Sequence, residues 1–272
     1  MTTLALIRDT FREAFARKIF WGLFGLSAAM ILFFLFLLKV DLVEGAVATI
    51  SVFGRTAGDQ RVDQLVRGVY AGIATFLYSW GMFLSVFASS GLIPSVLEPG
   101  RIELLLSKPV SRAHILLGRY LGNLLVISSN VVFLVLGVWA ILGVKTGIWS
   151  PSFLISIATT IFIFAVLLAV VVLIGVIFES AALATMVTVA LMIISAILAQ
   201  TSTMLRLLSS EWSRQLWRTL YYVLPKIWDI GRITLSAIQD RTFNDYLAIW
   251  SSALFAAVVL ACALQIFSRR DF

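Results

Sequence analysis

The chain has 272 residues, of which 61% are hydrophobic and 13% are charged, and its mean hydropathy is +1.02. Soluble domains carry about 25% charged residues, so this composition excludes an ordinary soluble protein and indicates a membrane protein. The net charge is +7, and because it is divided among short connecting segments, we attribute it to anionic lipid headgroups and expect no nucleic-acid partner.

The N-terminal segment, residues 1–19, has an amphipathic helical pattern. Apolar residues recur at helical spacing on one face, and Arg8 and Arg12 lie on the opposite face. Such a helix lies in the plane of the membrane interface, so we predict an elbow helix before the first crossing. The pattern leaves open whether the elbow only anchors the first span or also contacts a partner.

Six apolar runs follow, and each is long enough to cross a bilayer, which takes about 20 residues. Backbone polar groups must be paired internally in lipid, so these runs predict helices and not strands. We therefore predict an all-α membrane protein with six transmembrane helices in a single domain, residues 1–272. The first run is too long for a cleavable signal peptide and is expected to be retained. The predicted spans are 20–38, 70–93, 121–144, 153–178, 181–200 and 246–267.

The orientation is predicted from the basic residues between the spans. With the N-terminus inside, ten Lys and Arg residues lie inside and eleven outside, so the raw count is a tie. The inside segments are the shorter ones, and charges close to span ends count most. We therefore predict cytoplasmic N- and C-termini in a plasma membrane.

We make a separate structural prediction for each of three segments that connect the spans. The structure of 39–69 is left open, because the segment has no clear period. Glu179 splits an apolar run of about 48 residues, and since a charge is costly inside a bilayer, it predicts a tight turn between two spans, with a partner contact as the alternative. Residues 201–245 combine helical spacing with many Trp and Tyr residues, which predicts one or two helices at the outer leaflet.

The connection between the second and third spans, residues 94–120, is different in character. Pro99 and Gly100 predict a turn, 101–107 a helix of about two turns, and Ser111 the N-cap of the third span. The short helix is rich in leucine and is predicted to lie parallel to the membrane surface. From the residues alone it is either a plain connector or a docking helix for a soluble subunit.

A resemblance favours the docking helix. The segment resembles the first cytoplasmic loop of ABC transporter permeases of the type-2 exporter superfamily, although Arg101 stands where the family usually has threonine. The stretch "YYVLPKIWDI" at 221–230 also resembles the branch linked to multicopper-enzyme maturation. The residues that match the family's loop pattern are Glu98, Gly100, Ser107, Pro109, Ser111, Arg112, Gly118 and Arg119.

The resemblance implies two permease chains and two ATP-binding subunits, with ATP and magnesium bound by the partner subunits. A homodimer is expected, a heterodimer is left open, and an extracytoplasmic protein is a further candidate partner. The short helix would correspond to the family's coupling helix. The residues expected to contact the ATPase are Glu98, Gly100, Arg101, Ile102, Glu103, Leu104, Leu105, Ser107, Lys108, Pro109, Arg112, Arg8 and Arg12.

The sequence contains no P-loop, no cluster of metal ligands and no pair of nucleophile and base. We therefore predict no enzymatic activity, no catalytic residue, no metal site and no cofactor in this chain. Asn123 and Asn130 are strongly polar residues deep in the third span, and they either line a pathway or bond a neighbouring helix.

Two alternatives to an ATP-driven permease remain at this stage. One is an ion-coupled carrier, which usually buries charged relay groups in its spans. The other is a non-transporting scaffold that recruits a soluble partner. The sequence does not choose among lipid, peptide, drug, sulfur or copper substrates.

Overall fold

A computed structural model describes residues 12–13, 15–16, 18–36, 39–43, 47–52, 55–91, 94, 111–240 and 246–269. The predicted coupling helix at 101–107 and most of the predicted elbow, including Arg8, lie outside the described residues. The α-helices are α1 Lys18–Phe36, α2 Val62–Phe76, α3 Met82–Ser90, α4 Arg112–Thr146, α5 Ile155–Phe178, α6 Ala181–Leu198, α7 Thr201–Leu207, α8 Glu211–Val223, α9 Ile227–Ile238 and α10 Leu247–Arg269.

The membrane-crossing part is helical, as predicted. Five helical segments are long and apolar enough to span a bilayer, and the predicted second to sixth spans fall on them. The first predicted span, 20–38, corresponds to a shorter apolar helix, Phe20–Phe36. The five segments are Val66–Ser90, Arg112–Thr146, Pro151–Phe178, Ala181–Leu198 and Leu247–Arg269.

Helix α5 forms the centre of the bundle. It packs against α3, α4, α6, α9 and α10, and 61% of the apolar part of its segment is buried, the largest share of the five. A helix that is apolar on all sides belongs in the middle of a bundle. The other spans each keep a broad apolar face on the outside, where lipid would lie.

The second span is interrupted at its middle by a π-helical turn, Leu77–Gly81, between α2 and α3. The Ser85 hydroxyl donates to the Gly81 carbonyl at 2.7 Å, which satisfies a backbone acceptor beside the wide turn. π-turns are rare in helices, and those that do occur are often found at functional sites.

The segment that the sequence left open contains an antiparallel sheet of three strands, β1 Lys39–Val43, β2 Val47–Val52 and β3 Arg55–Arg61. The strand order is β1-β2-β3, as expected for a meander with short connections. The valines, isoleucine and threonine of β1 and β2 favour extended backbone. The three strands lie between α1 and α2 in the chain.

The segment 201–245 contains three helices among its described residues, α7, α8 and α9, where one or two were predicted. Helix α8 has no buried residue, whereas α9 packs on the bundle through Ile227, Ile230 and Ile238. Arg67 at the start of the second span forms an ion pair with Asp240, which follows α9. Helix α8 therefore lies on the outside of the bundle, against α6 and α10, whereas α9 is packed into it.

The turn between α5 and α6 is confirmed at Glu179. This residue ends α5 in the left-handed conformation, with φ of 52°, and Ser180 caps α6 by accepting from the Leu183 amide at 3.4 Å. Two residues thus reverse the chain.

Candidate functional site

The predicted partner-contact residues are only partly described. Glu98, Gly100, Arg101, Ile102, Glu103, Leu104, Leu105, Ser107, Lys108 and Pro109 lie, with Arg8, outside the described residues. Arg12 is exposed, and Arg112 is half-buried in the first turn of α4.

The beginning of α4 has the local structure that its sequence predicts. Ser111 is in extended conformation with ψ of 146°, and its hydroxyl accepts a hydrogen bond from the His114 amide at 3.4 Å. The same hydroxyl lies 2.5 Å from Nδ1 of the His114 ring, so a hydrogen bond also joins the side chains of Ser111 and His114. The cap orients the chain where segment 94–120 enters the third span.

A buried ion pair joins this end of α4 to the N-terminal segment. Arg119, with 2% of its side chain exposed, donates to the Glu13 carboxylate, which is 15% exposed. Glu13 was not singled out in the sequence, because its partner is 106 residues away. Removing one member of a buried pair leaves an uncompensated charge and typically costs about 3–5 kcal/mol.

A second contact fixes α4 at the same level. The Tyr120 hydroxyl donates to the Ala165 carbonyl of α5 at 2.9 Å. Neighbouring residues of α4 therefore hold the N-terminal segment on one side, through Arg119, and the central helix on the other. A displacement of the beginning of α4 would reach both.

The two asparagines of the third span form hydrogen bonds to other spans. Asn123 is buried and its Oδ1 accepts from the Ser89 hydroxyl of α3 at 3.2 Å. Oδ1 of Asn130 accepts from the Ser27 hydroxyl of α1 at 3.1 Å. Both Nδ2 atoms are buried and have no hydrogen-bond partner among the described residues. Asparagines in spans commonly bond neighbouring helices in this way.

A polar cluster lies at the junction of α8 and α9, in the stretch 221–230. The Tyr221 hydroxyl donates to the Asp229 carboxylate at 2.9 Å. The ammonium of Lys226, a residue only 3% exposed, lies 4.7 Å from the Tyr221 ring centroid and donates to the Ser251 hydroxyl of α10 at 3.0 Å. These contacts hold the α8–α9 junction against the last span.

Within the described ranges, no three His, Cys, Asp or Glu side chains are grouped so that they could hold a metal ion.

The apolar spans and their arrangement around α5 define a multi-pass helical membrane protein. The family model for the ABC-2 family transporter protein matches residues 4–272, nearly the whole sequence. The chain belongs to this family, and it is therefore of the ABC transporter permease class. Membership implies an ABC ATP-binding subunit as partner. The search of curated proteins gives no match.

Proposed function

We propose that this chain is the membrane permease of an ATP-driven exporter, working as a dimer with two copies of a separate ATP-binding subunit. The observation that carries the proposal is the family match over residues 4–272 together with the apolar helices. In this proposal Phe20–Phe36 crosses the membrane in addition to the five longer segments and is the first crossing in chain order. The helix that contains it, α1, has 19 residues and a length of about 28 Å, which is close to the thickness of the hydrocarbon core. Both termini would be cytoplasmic in a bacterial inner membrane.

Coupling would begin at segment 94–120. A docking helix at 101–107 would contact the ATPase and pass its movement to the N-cap Ser111 and the beginning of α4. The Arg119–Glu13 pair supports this path, because it would make the N-terminal segment follow α4. Helix α1 comes directly after that segment, so one push would move the first and third spans together.

In this proposal the movement that begins at segment 94–120 would reach segment 201–245 on the outer side of the membrane. Helix α8, which has no buried residue, would lie at the outer leaflet with Trp212 and Tyr222 in the interface. The resemblance to permeases linked to multicopper-enzyme maturation makes an extracytoplasmic partner at this end a further proposal.

The decisive experiment is purification of the tagged full-length chain from native membranes in mild detergent, followed by identification of the associated proteins and an ATPase assay. We expect a P-loop subunit in equal amount and ATP hydrolysis in the preparation. A permease recovered without any nucleotide-binding subunit and without ATPase activity would contradict the proposal. It would favour a carrier or a scaffold.

Uncoupling variants locate the contact. Leu105→Asp combined with Arg112→Glu is expected to abolish substrate stimulation of the ATPase, because it places charge in the docking helix and reverses the charge at the start of α4. Arg218→Glu, a charge reversal on the exposed face of α8, is the matched control and should retain stimulation. Equal stimulation in the two variants would argue against coupling through 94–120.

Disruption of the ion pair gives a second readout. Arg119→Gln is expected to reduce substrate stimulation while the ATPase stays bound, since the sequence of the docking segment is unchanged and the ion pair to the N-terminal segment is removed. Glu13→Gln should have a similar effect, and the double variant should be no worse than either single one. Additive losses would show that the two residues act separately.

A further inference from the structure

The second span consists of two helical halves that pack against different neighbours. Its first half, α2, packs mainly against α9, whereas its second half, α3, packs mainly against α5 and α6. Between them lies the π-turn Leu77–Gly81, where the Met82 amide donates to the Leu77 carbonyl, five residues earlier. A regular α-helix would use the carbonyl four residues earlier, so the turn accommodates one extra residue.

The extra residue shifts the buried face of the span. Buried side chains recur at helical spacing up to the turn, and after it they recur one residue later than a continuous α-helix would place them. Each half therefore faces its own neighbours because the turn is present. The buried residues are Val66, Tyr70, Ile73, Ala74, Leu77 and Tyr78 up to this point, and Met82, Ser85, Val86, Ser89 and Ser90 beyond it.

Tyr78, within the turn, ties the first half to α9. Its hydroxyl lies 2.8 Å from the Thr234 hydroxyl of α9, and Thr234 in turn donates to the Thr159 hydroxyl of α5 at 2.8 Å. The Tyr78 ring packs on α9 so closely that a Cβ at Gly231 would lie 3.3 Å from it. Hydrogen bonds and close packing therefore both hold this end of α2 in place.

The second half is bound to α4. Ser89, which is 0% exposed, donates to Oδ1 of Asn123 at 3.2 Å. Helices α3 and α4 are also the described helices on either side of segment 94–120 in the chain. A displacement of that segment would therefore act on α3 and α4 first, whereas α2 is held by α9. The turn lies where these two parts of the bundle meet.

Hydroxyl groups around the turn donate to backbone carbonyls. Ser79, within the turn, donates to the Thr75 carbonyl at 2.8 Å. Ser85, after the turn, donates to the Gly81 carbonyl at 2.7 Å. In hydrocarbon no water replaces a lost backbone hydrogen bond, so a span can bend only where other donors remain. Hydroxyls bonded in this way and π-turns are both causes of helix bending.

We propose that the π-turn Leu77–Gly81 is a joint at which the second span bends, so that α3 moves with α4 while α2 stays fixed to α9. The Ser79 and Ser85 hydroxyls keep carbonyls at the joint paired as it bends. That an ATPase drives the movement rests on the proposed function. The bending itself is a property of this chain alone, and it is tested without a partner subunit.

The test measures distances between two spin labels in the purified full-length chain in nanodiscs, by double electron–electron resonance. In a Cys262→Ala background, the common reference is Leu254→Cys on α10, because Leu254 is 67% exposed. It is paired with Phe87→Cys on α3, where Phe87 is 54% exposed, or with Gly72→Cys on α2, which has open space around it. We expect the α3 distribution to be wider by about 3 Å, since a bend of about 20° displaces a residue about 9 Å beyond the joint by this amount.

Deletion of Trp80 isolates the contribution of the turn. Removing one residue there restores a continuous α-helix with both buried faces in their present directions, so the α3 distribution should narrow to the width of the α2 distribution. Trp80→Ala is the matched control, because it removes the same exposed side chain but keeps the extra residue, and its α3 distribution should stay wide.

The same two variants are then compared in the complex with the ATPase. Deletion of Trp80 should reduce substrate stimulation of the ATPase at least about fivefold, and Trp80→Ala should retain it. Full stimulation in the deletion variant would contradict a role for the joint in coupling.

Two outcomes would overturn the joint itself. Equal widths for the α2 and α3 distributions would show that the span moves as one rod, and this comparison needs no deletion. An α3 distribution that stays wide when Trp80 is deleted would place the movement outside the turn. Distributions that behave as expected in a chain that binds no ATPase would support the joint and contradict only the proposed function.

Discussion

At the scale of single residues, two tryptophans and a glycine pack together at the C-terminal end of the third span. The Trp149 ring lies against Gly143 so closely that a Cβ at that glycine would be 2.6 Å from the ring. Trp139 packs edge-on against Trp149 at 4.7 Å, and its indole nitrogen donates to the Ser150 carbonyl at 3.0 Å. The glycine is required for this close approach.

The first prediction follows from that contact. Gly143→Ala should destabilise the protein by about 1–3 kcal/mol relative to Gly72→Ala, because the Trp149 ring must move away from its packed position. Gly72 is also helical and has open space around its Cβ direction, so the gain in helix propensity is shared by both variants. The measurement is thermal unfolding in detergent. An equal Tm for the two variants would contradict the tight contact.

Single residues also show which contacts could be predicted from the sequence and which could not. The Ser111 cap and the Glu179 turn could be predicted, because each depends on neighbours a few positions away. Glu13–Arg119 and Arg67–Asp240 could not be, because their partners are 106 and 173 residues apart. A charged residue in a connecting segment has many candidate partners, and periodicity does not choose among them.

At the scale of elements, the junction of α8 and α9 combines an exposed helix with a buried one. Lys226 is held under the Tyr221 ring and by Ser251, and its own amide donates to the Ser252 hydroxyl at 2.9 Å. Tyr221 in turn bonds Asp229 in the first turn of α9. This cluster therefore ties the end of α8 to the start of α9 and to the last span.

The second prediction tests the junction. Tyr221→Phe removes the hydrogen bond to Asp229 and should make the amides of α8 exchange about ten times faster, since a hydrogen bond to a charged group contributes about 1.5–3 kcal/mol. Tyr222→Phe is the matched control, because Tyr222 is 61% exposed. Hydrogen exchange measured by mass spectrometry compares the two. Unchanged protection of α8 in Tyr221→Phe would mean that other contacts hold the helix.

Elements were more predictable than their interruptions. Apolar length alone located five of the spans, because a bilayer imposes a minimum run of apolar residues. The π-turn at Leu77–Gly81 and the sheet at Lys39–Arg61 were missed. A π-turn leaves the apolar pattern unchanged, and short strands in a mixed segment have too few residues to establish a period of two. The third helix of 201–245 was missed because helical spacing continues through the break before α8.

At the scale of the whole molecule, the proposed orientation places segment 201–245 outside and both termini inside. Cys262 is the only cysteine in the sequence, so a background without it allows single labelling sites. Ser209 lies between α7 and α8, and Ser268 lies at the end of α10, and both are exposed.

The third prediction uses these positions. In a Cys262→Ala background, Ser209→Cys should react with a membrane-impermeant maleimide on intact cells, whereas Ser268→Cys should react only after the membrane is opened. The reason is that an odd number of crossings separates the two sites. Ser268→Cys reacting from outside and Ser209→Cys remaining unlabelled would reverse the proposed orientation.

The two-residue turn at Glu179 and Ser180 also constrains how the protein is made. Because only Glu179 and Ser180 separate the two helices, neither helix can cross the bilayer without bringing the start or end of the other to the membrane surface. We therefore expect the α5–α6 pair to be inserted as a single hairpin once Leu198, the last residue of α6, has left the ribosome. Since α5 is the more apolar partner, its entry would bring in α6. The central helix of the finished bundle would then wait until late in synthesis for its packing partner α10.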